Sequence, residues 1–286
     1  MTLREAIAAA RLRLAAAGIE PGEAGRDAGL LARHVLGWDV ATLVTRDMDI
    51  ADAAFLHDFD TAIERRARRE PVAYIRGVQE FWSRDFVVSS SVLIPRPETE
   101  LIIEELKRRL PRLASTRRIA DIGTGSGCLA ITAALEWPDA LVTATDVSID
   151  ALAVARENAA RLGAADRITF LETPYLFGTT GTFDVIISNP PYITEWEYEA
   201  LAPEVREYEP VTALTAGEDG LRDVRQIIDL APVRLAPGGL LLMEVGHLQS
   251  DAVADIINEY SALELEAFST DLQDIPRVAV ITRTHA

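Results

Sequence analysis

Phe183-Asp184-Val185-Ile186-Ile187-Ser188-Asn189-Pro190-Pro191-Tyr192 is the stretch that decides the fold of this 286-residue chain. Its apolar first half is rich in β-branched residues and predicts a buried strand. The two prolines cannot donate hydrogen bonds to a ladder, so the strand must end where they begin. In open α/β sheets, ligands bind beyond the carboxyl ends of the strands. We therefore predict a binding site at Asn189–Tyr192.

The chemistry available at Asn189–Tyr192 suits a planar NH2 group on an sp2 carbon. Asn189 offers a neutral amide oxygen, Pro190 a carbonyl held in one direction, and Tyr192 a flat face for packing. Two neutral acceptors can orient both N–H groups of such a nitrogen and increase its electron density without a strong base. The alternative is a strand end with a Pro-Pro turn and a packed tyrosine that has no chemical role.

From Arg118 onward the chain alternates predicted strands and helices. Strands are expected at Arg118–Ile122, Leu141–Thr145, Ile168–Leu171, Phe183–Ser188 and Leu240–Val245, and helices at Gly127–Leu135, Ser148–Leu162, Val224–Leu235 and Ala252–Tyr260. This alternation predicts an α/β fold with a mostly parallel, doubly wound sheet. Two final strands, Leu263–Phe268 and Arg277–Thr282, have only a loop between them and predict an antiparallel edge.

The sequence before residue 70 has a different pattern. Apolar residues recur at helical spacing in residues 2–17, 22–36 and 52–69, which predicts a small N-terminal helical bundle. Val72–Gly77 and Phe81–Val88 are predicted to be two short strands of a hairpin. Val92–Glu100 is expected to end a strand and open a helix. We therefore expect a bundle at 1–70, a β-hairpin linker at 71–92 and a Rossmann-like domain at 93–286.

A glycine-rich turn follows the first strand of that domain, in Ile119-Ala120-Asp121-Ile122-Gly123-Thr124-Gly125-Ser126-Gly127. Such a turn lets a ligand approach the backbone at a helix start, but dinucleotide-binding proteins share it. Two acidic residues favour S-adenosylmethionine. Asp121 could hold its amino group and would repel a pyrophosphate, and Asp146 ends the next strand, where it could accept both ribose hydroxyls. A sulfonium methyl group and the NH2 nitrogen bound at Asn189 would then meet for in-line displacement.

Composition limits the possible partners. The formal net charge is −17, and such a field repels nucleic acid unless a local basic surface overcomes it. The densest basic cluster, at residues 65–69, is expected to be a solvated helix end. One cysteine, Cys128, excludes an internal disulfide. His34 and His57 are isolated, so we predict no metal site. No signal peptide or apolar run of about 18 residues is present, which predicts a cytoplasmic protein without a membrane segment.

The chain resembles the HemK/PrmC-type protein glutamine N5-methyltransferases over almost its whole length. The matching segments are Tyr74-Ile75 with Gly77, the hairpin with Phe81 and Phe86, Leu93–Glu100, Gly123–Gly127, Asn189–Tyr192, Tyr208-Glu209-Pro210, Gly217–Leu221, and Glu244-Val245-Gly246 with Gln249. The Arg-Pro-Glu-Thr-Glu segment at 96–100 is the most specific, because related ribosomal-protein glutamine methyltransferases differ there.

The resemblance implies transfer of a methyl group from S-adenosylmethionine to the glutamine of the Gly-Gly-Gln motif in class I peptide-chain release factors. By this resemblance the cofactor would be held by Gly123, Thr124, Gly125, Ser126, Gly127, Asp146 and Asn189. Asn189 would also touch the glutamine, and Pro190, Pro191 and Tyr192 would complete the substrate site. The chain departs from the family at Glu172–Tyr175, where an acidic residue followed by an aromatic one often lies beside the adenine.

Three alternatives stay open at this point. A DNA or RNA adenine-N6 methyltransferase would use the same Asn-Pro-Pro-Tyr chemistry, but it must capture a base and hold phosphates. A ribosomal-protein glutamine methyltransferase would use the same reaction on another protein. A cofactor-binding module without catalytic activity would use the helical bundle as a scaffold for a partner.

Overall fold

The chain forms two compact units in the computed structural model, which describes residues 1–110 and 117–285. The first unit is Met1–Val78 with Ala202–Tyr208, and the second is Gln79–Leu201 with Glu209–Ala286. The boundaries expected at residues 70 and 92 remain predictions. Among the described residues, no helix is both long and apolar enough to cross a membrane.

The first unit is helical. Its helices are α1 (Leu3–Ala16), α2 (Pro21–Leu36), α3 (Val40–Arg46), α4 (Ala53–Ala67), α5 (Val72–Arg76) and, from later in the chain, α10 (Pro203–Arg206). A capping box begins α1, where Thr2 Oγ1 accepts from the Glu5 N–H and Glu5 accepts from the Thr2 N–H. Buried apolar side chains of α1, α2 and α4, among them Leu14, Leu31 and Ile63, form its core.

The basic cluster of this unit is only in part the solvated helix end that was expected, since Arg68 is exposed whereas Arg66 is buried. Arg66 is only 4% exposed and donates to Asp27 Oδ2 at 2.7 Å and to Glu204 Oε1 at 2.9 Å. Arg69 donates to Glu204 Oε2 at 2.7 Å. A buried guanidinium needs such partners because an unpaired charge in the interior is strongly destabilising. Helical spacing alone could not identify Asp27 and Glu204 as partners, since they lie far from Arg66 in sequence.

The predicted hairpin is displaced along the chain. Val72–Arg76 is helix α5 rather than a strand, and the hairpin consists of β1 (Val78–Phe81) and β2 (Arg84–Val87). Gly77 ends α5 in the left-handed conformation, at φ 73°. Trp82 and Ser83 both have positive φ, which suits a two-residue hairpin turn. The prediction was wrong because a short apolar run does not distinguish a strand from a buried helix.

No strand is present at Val92–Pro95 either, so that prediction was also wrong. The Ile94 N–H donates to the Glu209 carboxylate at 3.0 Å instead of to a neighbouring strand. A 3-10 turn at Pro97–Thr99 then leads into helix α6 (Glu100–Arg109). The helix start predicted from Pro97 and the acidic residues is confirmed.

The second unit has the predicted α/β architecture. Its strands are β3 (Arg118–Ile122), β4 (Leu141–Asp146), β5 (Ile168–Glu172), β6 (Phe183–Ser188), β7 (Leu235–Glu244), β8 (Leu263–Thr270) and β9 (Pro276–Arg283). Its further helices are α7 (Cys128–Glu136), α8 (Ile149–Leu162), α9 (Glu195–Glu199), α11 (Arg222–Arg234) and α12 (Ser250–Asn258). The predicted strands and helices of this region are confirmed, with ends that differ by a few residues; α9 was not predicted.

Within the described residues, these seven strands form one sheet in the order β5-β4-β3-β6-β7-β9-β8. Strands β3 to β7 are parallel, and β9 and β8 form the expected antiparallel edge. Neighbouring residues of β3 face opposite layers, since Ile119 packs with α6 and α7 whereas Ala120 packs with α11. The sheet is therefore doubly wound, and β3 and β6 lie side by side.

Candidate active site

An open cavity lies at the carboxyl ends of β3, β4 and β6. Its lining includes Thr99, Gly123–Ser126, Asp146–Ser148, Thr173–Tyr175, Ser188–Pro191, Asp223 and Ile227. Of the residues predicted to hold a cofactor or substrate, all but Asp121, Gly127 and Tyr192 are in this lining. The described lining contains no lysine, arginine or histidine. A phosphate group in this cavity would therefore have no positively charged side chain as a partner.

The strand register explains why the glycine turn and Asn189 are neighbours. Ile122 of β3 is paired with Ser188 of β6, and the Ser188 hydroxyl donates to the Ile122 carbonyl at 2.8 Å. Adjacent strands lie about 4.8 Å apart, so the residues that follow Ile122 and Ser188 begin side by side. Gly123 and Asn189 are those residues.

The glycine turn depends on left-handed backbone conformations. Gly123, Gly125 and Gly127 have φ values of 72°, 55° and 82°, a region that other residues rarely adopt. Gly127 also lies where α7 approaches α8. A Cβ atom there would lie 2.8 Å from Ile131 Cδ1 and 3.2 Å from Ala155 Cβ. Gly127 thus acts through packing behind the cavity rather than through its wall.

Asp121 lies beneath the turn and not in the cavity wall, which differs from the expected contact with a cofactor amino group. Its Oδ2 accepts from the Thr124 hydroxyl at 2.7 Å and from the Ala130 N–H at 3.1 Å. Burial raises the pKa of Asp121 to about 7. In this position the carboxyl group ties the turn to the first turn of α7.

Asp146 does lie in the wall, at the end of β4. Its Oδ2 accepts from the Gly125 N–H at 2.9 Å, and its Oδ1 accepts from the Ser148 N–H at 2.9 Å. Burial raises its pKa above the usual range, although these backbone donors oppose the shift. Each carboxylate oxygen keeps a further lone pair for a hydroxyl donor.

Asn189 is held by two residues to which the sequence assigned no role. Its Nδ2 donates to Thr99 Oγ1 at 3.0 Å, and the Thr99 hydroxyl donates to Glu244 Oε2 at 2.7 Å. Glu244 is 2% exposed, and burial raises its pKa to about 7. The sequence signals were the family resemblance of the segments that contain Thr99 and Glu244, and an acidic residue at the end of the apolar strand Leu240–Val245, where a charged side chain is unusual.

Tyr192 lies half-buried beside the same carboxylate. Its hydroxyl donates to Glu244 Oε1 at 3.4 Å, and its pKa is raised by burial and by the nearby negative charge. The Gln249 amide donates to the Tyr192 carbonyl at 3.0 Å and so holds the chain that follows the two prolines. Tyr192 therefore supports the Asn189–Pro191 segment from behind.

The wall near Glu172–Tyr175 takes its acidic group from another element. The Tyr175 hydroxyl donates to Asp223 Oδ1 at 2.8 Å, and Asp223 is the second residue of α11. Pro174 and Ile227 add apolar surface to the same part of the lining. A flat apolar wall with one carboxylate can pack against an aromatic ring that carries an amino group.

Two further residues of the predicted segments lie outside the wall. Arg96, which lies between two prolines at the start of the segment 96–100, donates to Glu209 Oε1 at 2.5 Å, and Glu209 is 4% exposed. Asn158 of α8 donates to the Ser126 carbonyl at 2.9 Å and to the Val87 carbonyl at 3.0 Å. Asn158 thereby connects the glycine turn to the hairpin strand β2, a contact that no local sequence pattern indicates.

Comparison with known proteins places these features in a family. The family model of the PrmC N-terminal domain matches residues 5–77, and that of the methyltransferase small domain matches residues 96–204. A release factor glutamine methyltransferase from Cereibacter sphaeroides is 45% identical over 257 residues, 90% of each chain. One from Koribacter versatilis is 39% identical over 280 residues, 98% of each chain.

A solved structure supports the fold independently of close sequence similarity. A methyltransferase from Pyrococcus furiosus has a TM-score of 0.55 at 20% identity, covering 78% of this chain and 99% of the other. The two relatives above are matched over nearly their whole length. This chain therefore belongs to the release factor glutamine methyltransferase family.

Proposed function

We propose that this protein transfers a methyl group from S-adenosylmethionine to the side-chain amide nitrogen, N5, of the glutamine in the Gly-Gly-Gln motif of class I release factors. The observation that carries the proposal is the position of Asn189. Its amide follows the end of β6, beside the glycine turn that follows β3, in a cavity whose described lining has no basic side chain.

The residues of the cavity fit S-adenosylmethionine. Asp146 has lone pairs for the ribose hydroxyls, and the wall of Pro174, Tyr175 and Ile227 has room for the adenine. Glycine at 125 leaves open space in the lining, since a Cβ atom there would meet nothing within 4 Å. The carboxylates of Asp146 and Asp223 suit a cationic ligand and disfavour a pyrophosphate. When bound, S-adenosylmethionine supplies an electrophilic methyl group on a sulfonium sulfur.

The protein contributes the orientation of the reacting groups. Asn189 Oδ1 and the Pro190 carbonyl would accept the two N–H groups of the glutamine amide and aim the nitrogen lone pair. Tyr192 and Pro191 would hold this segment in place. A methylated amide that still carries both protons is very acidic, so the proton leaves to solvent without a dedicated base. This account agrees with the absence of a lysine or histidine from the described lining.

We infer that the protein acts in the cytoplasm, where release factors function.

We also infer that the helical bundle at residues 1–70 docks the release factor. The bundle exposes large apolar side chains on and after α3. Val40, Val44, Met48 and Ile50 are 56–75% exposed. Val44→Glu should raise KM for the intact release factor and leave KM for a short Gly-Gly-Gln peptide unchanged. Leu12→Glu, at a 70% exposed position on α1, is the matched control; equal effects of both variants would contradict docking at α3.

Mass spectrometry of a class I release factor after incubation with the protein and S-adenosylmethionine tests the reaction. We expect one added methyl group on the glutamine of the Gly-Gly-Gln peptide. A release factor with that glutamine replaced by alanine should stay unmodified. Methyl transfer to DNA, RNA or a ribosomal protein, with none to the release factor, would overturn the proposal in favour of one of the alternatives.

A further inference from the structure

Two buried polar side chains of the second unit, those of Thr99 and Glu244, form a hydrogen-bonded chain with the half-buried Asn189, the proposed substrate acceptor. Asn189 Nδ2 donates to Thr99 Oγ1, and the Thr99 hydroxyl donates to Glu244 Oε2. Thr99 and Glu244 are both 2% exposed, so water does not compete for these bonds. Along the chain, Asn189 lies 90 residues from Thr99, and Glu244 lies 145 residues from it.

The direction of these bonds matters because a hydroxyl has a single proton. A carboxylate only accepts hydrogen bonds, so an ionised Glu244 takes the Thr99 proton. Thr99 Oγ1 can then only accept from Asn189, which requires the amide nitrogen to face Thr99. The amide oxygen is consequently left for the cavity, where an incoming NH2 group needs an acceptor.

We propose that Glu244, acting through Thr99, is a positioning residue that sets which end of the Asn189 amide faces the substrate. This proposal rests on the proposed function, since it gives the amide oxygen its purpose. Neither residue touches the reacting atoms. Their contribution is to prevent the reversed amide, whose NH2 group would point at the N–H groups of the substrate and repel them.

Replacing the carboxylate removes the directional constraint. In Glu244→Gln the new side chain has both a donor and an acceptor, so the Thr99 proton can turn toward Asn189 Oδ1 and the amide can reverse. In Thr99→Val the acceptor for Asn189 Nδ2 is absent and the amide loses its anchor. Thr99→Ser retains the hydroxyl and should retain the orientation.

Protonation of Glu244 should have the same effect as the glutamine variant. The charged and titratable groups that face it are Glu98, Arg277, Tyr192 and Cys128. Burial and Glu98 raise the pKa of Glu244 to about 7, whereas Arg277 and the bonds from Thr99 and Tyr192 oppose the shift. A protonated carboxyl gains a donor, so methyl transfer should fall as pH drops below about 7.

Steady-state kinetics with the release factor test the proposal. We expect Glu244→Gln and Thr99→Val to lower kcat by about 10- to 100-fold, as loss of one hydrogen bond to a charged group allows. The Kd for S-adenosylmethionine should stay within about twofold, and Thr99→Ser should keep most of the wild-type rate. Thr132→Val is the control, since Thr132 is fully buried in α7 outside the cavity wall. The acid limb of the wild-type pH profile should be absent from Glu244→Gln.

An NMR titration of the full-length protein tests the orientation without any substrate. The side-chain NH2 signals of 15N-labelled Asn189, assigned by their loss in Asn189→Ala, should shift with an apparent pKa near that of Glu244. They should stop shifting in Thr99→Val. The inference would be overturned if Glu244→Gln and Thr99→Val both kept the wild-type kcat. It would also be overturned if the Asn189 signals did not shift with pH. An inactive wild-type protein with the expected titration would instead refute only the proposed function.

Discussion

Two alanine substitutions in the glycine turn should separate packing from ligand contact. Gly125 and Gly127 both have positive φ, at 55° and 82°, so an alanine at either position costs about 1–2 kcal/mol of backbone strain. Their surroundings differ. A Cβ atom at 125 meets nothing within 4 Å, whereas one at 127 lies 2.8 Å from Ile131 Cδ1 and 3.2 Å from Ala155 Cβ.

The crowding at residue 127 determines how much the stabilities of the two variants should differ. Forcing an extra methyl group into a packed interface costs about 1–3 kcal/mol, so Gly127→Ala should be less stable than Gly125→Ala by about that amount. In a domain of this size, each kcal/mol lowers Tm by about 2–4 °C. Gly125 lines the cavity, so Gly125→Ala should instead weaken S-adenosylmethionine binding, because its methyl group enters the space proposed for the cofactor.

The assays are thermal unfolding followed by circular dichroism and calorimetric titration with S-adenosylmethionine. The pair of variants serves as its own control, because the backbone strain is common to both. Equal Tm values for the two variants would refute the packing role of Gly127. Unchanged cofactor affinity in Gly125→Ala would refute the position assigned to the cofactor.

Three further substitutions probe other parts of the molecule. Asn189→Ala should lower kcat by about 100- to 1000-fold, the effect of removing one oriented group at a reacting centre. Calorimetry should find the affinity for the cofactor nearly unchanged. A variant with unchanged turnover would refute the role assigned to Asn189. Asp223→Asn should weaken cofactor binding by up to about tenfold if its carboxylate faces the adenine amino group, and equal affinity would exclude that contact. Arg66→Met should destabilise the protein by about 3–5 kcal/mol in urea unfolding, since it leaves the buried Asp27 carboxylate without its partner and Glu204 with Arg69 alone. Arg13→Met, which breaks an exposed pair with Asp60, should cost less than about 1 kcal/mol and is the control.

Local patterns were enough to predict the strands, helices and glycine turn of the second unit. The run that ends at Pro190 and the three glycines from Gly123 each report a conformation that neighbouring residues impose. Because parallel strands present their carboxyl ends at one edge, these patterns also predicted that Gly123 and Asn189 would meet. The same reasoning was wrong at Val72–Arg76, where five residues are too few for periodicity to distinguish a strand from a helix.

The sequence by itself determined the alternation of elements, the ends of the strands and the residue types available at the site, because those depend on residues close together in the chain. Only the tertiary structure decided that Thr99 and Glu244 hold Asn189, that Asp223 joins Tyr175, and that Arg66 is buried between two acids. Such contacts join residues tens to more than a hundred positions apart. They depend on strand order and helix packing, which the free energy of the whole fold selects rather than any local pattern.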